Sequence, residues 1–123
     1  AETADTGVPL LNVERLEGMR RISEEFLQEC LTVYVPQMGQ TLEQIESHMA
    51  TRDFEAFHAA LHKLLGNAGD AGFHALHQFL RHQIYPQVAN DHQWPTQSQW
   101  LQTAKGLYAR TVAAVDARYL AQA

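Results

Sequence analysis

The segment from Phe54 to Leu76 constrains the fold most, because its apolar residues recur at intervals of three and four, the spacing of an amphipathic helix. The apolar stripe consists of Phe54, Phe57, Leu61, Leu64 and Ala68. His62 lies about one residue's rotation away from this stripe. Its neighbours on the same helix face are Ala59, Gly66 and Gly69, which have almost no side chain. The sequence therefore predicts an imidazole in a shallow clearing.

Gly66 lowers the stability of the predicted helix. A glycine in a helix interior costs about 1 kcal/mol relative to alanine, and Gly66 lies inside the predicted helix. A favourable interaction or a function must offset this loss of helix stability. Close approach of another molecule to His62 would provide such an interaction, so we interpret the clearing as a contact surface.

The same helix carries the string His62-Lys63-Leu64-Leu65-Gly66, and Gly69, Gly72 and Leu76 follow it. This pattern resembles the histidine-containing phosphotransfer (HPt) domain, whose signature is His-x-Leu-Lys-Gly followed by a glycine and a leucine. The likeness is greatest to the C-terminal HPt domains of hybrid sensor histidine kinases. Leu65 departs from the pattern, because the family usually has a lysine there.

The resemblance implies a histidine phosphocarrier in a two-component phosphorelay. His62 would accept a phosphoryl group from an aspartyl phosphate of a response-regulator receiver domain and pass it to another receiver. Imidazole suits this role, because its reference pKa of about 6.5 leaves much of it neutral and nucleophilic at pH 7. The receiver would bring the magnesium ion, so no cofactor is expected in this chain. With no GxxxxGK[ST] motif, we expect a phosphotransfer intermediate without kinase activity of its own.

The resemblance also implies which residues surround the phosphoryl group and dock the receiver. In the family, the lysine at the position of Leu65 helps to hold the phosphoryl charge, and leucine cannot do so. An exposed leucine there would instead contact the receiver. The expected surroundings of His62 are His58, Ala59, Lys63, Leu65, Gly66 and Gly69.

Two other functions fit the same residues. A noncatalytic helical domain would use this face to dock a receiver or another protein. Alternatively, His58 and His62 have the i, i+4 spacing of a helical metal site, with His74 or His77 as a third ligand. The HExxH arrangement is absent, so we assign no metal ligand.

The rest of the chain predicts an all-α domain, an antiparallel four-helix bundle with a short additional N-terminal helix. Residues 1–9 are expected to be a linker or disordered N-terminus, and residues 10–123 the HPt-like domain. Helices are predicted over about residues 10–19, 23–49, 54–69, 71–85 and 96–119. Asn12, Ser23, Asp53 and Asp70 are the expected caps, with a kink at Pro36 and a helix end at Pro86. The inward positions predicted for the second helix include Ile22, Phe26, Cys30, Val33, Met38, Leu42, Ile45 and Met49.

Composition limits the partners and the compartment. The net charge is −5, and the Lys and Arg residues form no stripe, so nucleic-acid binding is not expected. No apolar run is long enough to cross a bilayer. The single cysteine, Cys30, excludes an intramolecular disulfide, which agrees with a reducing compartment. We expect a monomer in the cytoplasm, either alone or as the cytoplasmic part of an inner-membrane sensor kinase.

Overall fold

The computed structural model describes residues 3–120, and the regular structure in that range is helical. Extended residues pair there only at two isolated bridges, Thr3 with Pro9 and Leu11 with Phe73. The predicted all-α class is therefore confirmed. No helix within residues 3–120 is long and apolar enough to span a membrane.

The first three helices begin at the capping residues that the sequence indicates. Their bounds are Val13–Ile22 for α1, Glu24–Ala50 for α2 and Phe54–Asp70 for α3. In each case a side-chain oxygen accepts the backbone N–H three residues further on, which satisfies one of the unpaired donors of the first turn. These caps are Asn12, Ser23 and Asp53. The α-helix α2 is continuous through Pro36, and the kink expected there stays a prediction.

The expected cap at Asp70 is wrong, because Asp70 is the last residue of α3. The chain then turns at Gly72, which has a φ of 74°. Only glycine adopts this backbone conformation at little cost. A Cβ atom at position 72 would also lie 2.9 Å from Leu16, so the glycine lets α1 pack closely against the turn. The next helix starts at His74.

The expected helix end at Pro86 is also wrong. Helix α4, His74–Phe79, leads into a π-helical turn at Leu80–Ile84 and then into α5, Tyr85–Ala89. Proline has no N–H and its ring collides with the carbonyl four residues back in a regular α-helix. The wider π turn accommodates Pro86, because the N–H of Tyr85 bonds to the carbonyl of Leu80, five residues back.

The last helix starts later than predicted. Helix α6 spans Trp100–Val115 and continues as a second π-helical turn at Asp116–Leu120. A loop precedes it, where the Trp94 ring packs edge-to-face with Phe54 and at a tilt against Phe57 of α3. The Arg52 guanidinium lies 4.5 Å from the Trp94 ring centre. The loop therefore covers one end of the helical core with aromatic rings.

The core lies between α2, α3, the α4–α5 segment and α6. The apolar stripe of α3 is buried as predicted, with Phe57, Leu61, Leu64 and Ala68 fully inaccessible and Phe54 half-buried. Tyr119 and Trp100 are also buried and fill the space near α6. The partly buried Cys30 packs against this core.

Three residues that the sequence predicted to face the core from the second helix are solvent-exposed, and one of them, Ile22, is the last residue of α1. Ile22 is 72% exposed, Val33 is 53% exposed and Phe26 is 38% exposed. In the first half of α2 two apolar series lie one residue apart, Phe26 with Val33 and Leu27 with Leu31, and the core takes the second series. The side chains of α2 that are buried are Leu27, Leu31, Met38, Thr41, Leu42 and Ile45.

Candidate functional site

His62 lies in the middle of α3 with its side chain exposed to solvent. Ala59, one turn before it, and Gly66, one turn after it, are also exposed. A Cβ atom added at Gly66 would meet no atom within 4 Å. The surface beside the imidazole is therefore open, as the sequence predicts, and a second molecule can approach it without displacing side chains of α3.

The His62 ring is held from the other side by Tyr85. Nδ1 of His62 and the hydroxyl of Tyr85 lie 2.9 Å apart, which is a hydrogen bond. The two ring centres are 5.9 Å apart at an interplanar angle of 38°. The hydroxyl meets Nδ1, and Nε2 forms no hydrogen bond with any other group of residues 3–120, so Nε2 is the free nitrogen of the exposed ring.

Tyr85 is the site residue that the sequence pattern did not indicate. The sequence predicts Tyr85 at the end of a helix that Pro86 terminates, and that position does not define where its side chain points. In the structure, the π turn at Leu80–Ile84 carries the chain past this point and α5 begins with Tyr85. Pro86, one residue on, was the only signal of this irregularity.

His58 belongs to the same group of rings. It is half-buried, and its ring centre lies 5.9 Å from that of Tyr85 and 6.3 Å from that of Phe54. Tyr85 thus contacts both histidines of the i, i+4 pair. No group of three His, Cys, Asp or Glu residues that could hold a metal ion occurs among the described residues.

Leu65 is not the exposed docking leucine that the sequence predicted. Its side chain is 8% exposed and belongs to the hydrophobic core. The position one turn from His62 is therefore occupied by core packing and presents little surface to a partner. The prediction that Leu65 lies on the docking surface is wrong.

Gly69 has a different role from Gly66. A Cβ atom at position 69 would lie 3.2 and 3.3 Å from two ring atoms of His77 on α4. The glycine thus allows α3 and α4 to approach, and it does not extend the open surface beside His62. Burial lowers the pKa of His77, and the nearby Arg81, His74 and His82 lower it further, while Asp70 opposes them.

Lys63 is exposed and forms no ion pair with the residues that the structure describes. The nearest pair along the helix joins Asp70 to Arg15 of α1 at 3.5 Å. Lys63 is thus an unpaired positive charge next to His62 in sequence, and its long side chain can move toward a bound anion.

No family model, curated protein or solved structure matches this chain.

Proposed function

We propose that this chain is an HPt-type phosphocarrier, folded as an antiparallel four-helix bundle with an additional N-terminal helix. The observation that supports this proposal most directly is the environment of the His62 side chain. Its imidazole is exposed on a helix, open on the side of Gly66 and hydrogen-bonded to Tyr85 at Nδ1. Such a ring is oriented by the protein while its other nitrogen has no partner among residues 3–120, which is what a nucleophile for a macromolecular donor requires.

The transfer forms one bond and breaks one. A ring nitrogen of His62 attacks the phosphorus of an aspartyl phosphate on a receiver domain, and the bond between phosphorus and the aspartate oxygen breaks. The electron pair of that bond returns to the aspartate as a carboxylate. The receiver contributes the magnesium ion, and the step reverses when a second receiver accepts the group. In this proposal the domain acts in the cytoplasm as a monomer.

The residues around His62 provide little positive charge to stabilise the negatively charged phosphoryl group. Lys63 is unpaired and flexible, and Leu65 is in the core. The receiver's magnesium ion must therefore provide most of the charge compensation. This arrangement predicts slower transfer than in a domain with a lysine at position 65.

A second candidate is a docking domain that binds a partner without transfer. The observation that favours it is the exposure of three large apolar side chains, Ile22 at the end of α1 and Phe26 and Val33 in the first half of α2. Exposed apolar clusters often mark protein-binding surfaces. Such a surface would serve a phosphocarrier and a docking domain equally well, so only a transfer experiment separates the two.

The test incubates the purified domain with phosphorylated receiver domains and follows its intact mass. His62→Gln removes the nucleophile, and His82→Gln is the matched control, because His82 is also an exposed histidine. We expect an acid-labile phosphoryl adduct on the wild type and on His82→Gln, and none on His62→Gln. Receiver binding without any adduct on the wild type would support the docking domain instead.

A further inference from the structure

In its hydrogen bond with Nδ1 of His62, the hydroxyl of Tyr85 can be either the donor or the acceptor. In a neutral imidazole one nitrogen carries a proton and the other a lone pair. If Tyr85 donates its proton to Nδ1, then Nε2 is protonated and has no lone pair in the ring plane. If Tyr85 accepts a hydrogen bond from Nδ1–H, then Nε2 has the lone pair. The 2.9 Å separation of Nδ1 and the hydroxyl oxygen is compatible with both.

We propose that Tyr85 is a positioning residue that accepts the Nδ1–H of His62 and so makes Nε2 the nucleophile, an inference that rests on the proposed phosphocarrier function. Nδ1 is engaged by Tyr85, and Nε2 of this exposed residue has no hydrogen-bond partner among residues 3–120. Nε2 is therefore the nitrogen left for a receiver domain. The reactive tautomer must therefore carry its proton on Nδ1, where Tyr85 holds it.

The hydrogen bond strengthens as the reaction proceeds. When Nε2 bonds to phosphorus, the ring acquires positive charge, and Nδ1–H becomes a charged donor to the Tyr85 oxygen. Hydrogen bonds from charged donors are roughly twice as strong as neutral ones. Tyr85 thus favours the phosphorylated ring over the free ring. No proton has to leave during the attack, because it stays on Nδ1.

The π turn sets the direction of Tyr85. Tyr85 directly follows the π turn at Leu80–Ile84, and its N–H bonds to the Leu80 carbonyl, five residues back. One additional residue per turn rotates everything that follows by about 100° relative to an uninterrupted α-helix. Without that rotation the hydroxyl of Tyr85 would point elsewhere on α5.

The test compares the wild type with Tyr85→Phe, which keeps the ring and removes the hydroxyl. Tyr34→Phe is the matched control, since Tyr34 is also a half-buried tyrosine that packs against the core. Long-range ¹H–¹⁵N spectra of free protein at a pH where imidazole is neutral report the His62 tautomer. Transfer from a phosphorylated receiver is timed on the same samples, and circular dichroism checks the fold.

We expect wild-type His62 to be mainly in the Nδ1–H form. Tyr85→Phe should move it toward the Nε2–H form and slow transfer about three- to tenfold, the effect of one modest hydrogen bond. Tyr34→Phe should change neither quantity. A wild-type ring in the Nε2–H form, or a tautomer and a rate that Tyr85→Phe leaves unchanged, would overturn the proposal. Absence of transfer in a wild type that shows the Nδ1–H form would refute the phosphocarrier function and leave the effect of Tyr85 on the tautomer standing.

Discussion

Gly66 offers a direct way to separate stability from function. Its Cα lies inside α3, and a Cβ atom there would meet nothing within 4 Å. Gly66→Ala should therefore remove the conformational cost of glycine without creating a collision. That cost is about 0.8–1 kcal/mol in a helix interior, so the free energy of unfolding should rise by about this amount.

The expected rise in melting temperature follows from the size of the domain. An unfolding entropy of about 2.1 cal/mol/K per residue over 123 residues gives about 0.26 kcal/mol/K. A gain of about 0.8–1 kcal/mol then raises Tm by about 3–4 °C. Thermal unfolding followed by circular dichroism measures this shift directly.

The same substitution should impair phosphoryl transfer. If a receiver closes over His62, the added methyl group enters the contact, and forcing extra volume into a packed contact costs about 1–3 kcal/mol. Transfer should therefore slow by about 5- to 150-fold. Gly106→Ala is the matched control, because a Cβ atom on that α6 glycine also meets nothing within 4 Å.

Gly106→Ala should raise Tm by a similar amount and leave transfer unchanged. If Gly66→Ala stabilises the protein and transfers at the wild-type rate, the clearing beside His62 is not a contact surface. If Gly66→Ala lowers Tm, the position is not open, and the reasoning about the cost of this glycine fails.

Two further substitutions test the neighbours of the site. Leu65→Lys should lower the free energy of unfolding by about 1–3 kcal/mol, because it removes a buried leucine. It should nevertheless speed transfer, because it adds positive charge near His62. A variant that is destabilised and transfers no faster would contradict the charge argument. The pKa of His77 is lowered by burial and by Arg81, His74 and His82, so the unfolded chain binds more protons and stability falls as the pH drops below about 6.5. His77→Gln should lose less stability than the wild type between about pH 7 and pH 5.5 in denaturant titrations, and equal losses would show that His77 does not contribute.

The parts of the structure that depend on local chemistry could be predicted from the sequence. The caps Asn12, Ser23 and Asp53 and the buried stripe of α3 follow from short-range spacing, and all are found. The open surface at Gly66 follows from the absence of nearby side chains on the same face. Predicting these features does not require knowing how the helices pack against one another.

The remaining features depend on contacts between distant elements. Tyr85 reaches His62 across 23 positions in sequence, through a π turn that no periodic pattern indicates. Leu65 is buried because the core extends past the apolar stripe of α3. Gly69 serves the packing of His77, although its spacing made it resemble Gly66. In each case the position on the helix was predicted, and the neighbour that defines its role was not.

The exposed apolar residues at the end of α1 and in the first half of α2 illustrate the same limit. Ile22, Phe26 and Val33 have a spacing that is typical of a buried helix face. In the first half of α2 a second apolar series, which includes Leu27 and Leu31, lies one residue further along, and that series faces the core. When two apolar series lie side by side on one helix, the packing against the other helices decides which of them is buried.

The most direct measurement locates the phosphoryl group on the chain. The domain is phosphorylated by a receiver, digested under neutral conditions and sequenced by mass spectrometry, with an acid-treated sample alongside. The account predicts one acid-labile phosphoryl group, on the peptide that contains His62 and at that residue. A phosphoryl group on His58 or on another residue, or none in a domain that binds the receiver, would contradict it.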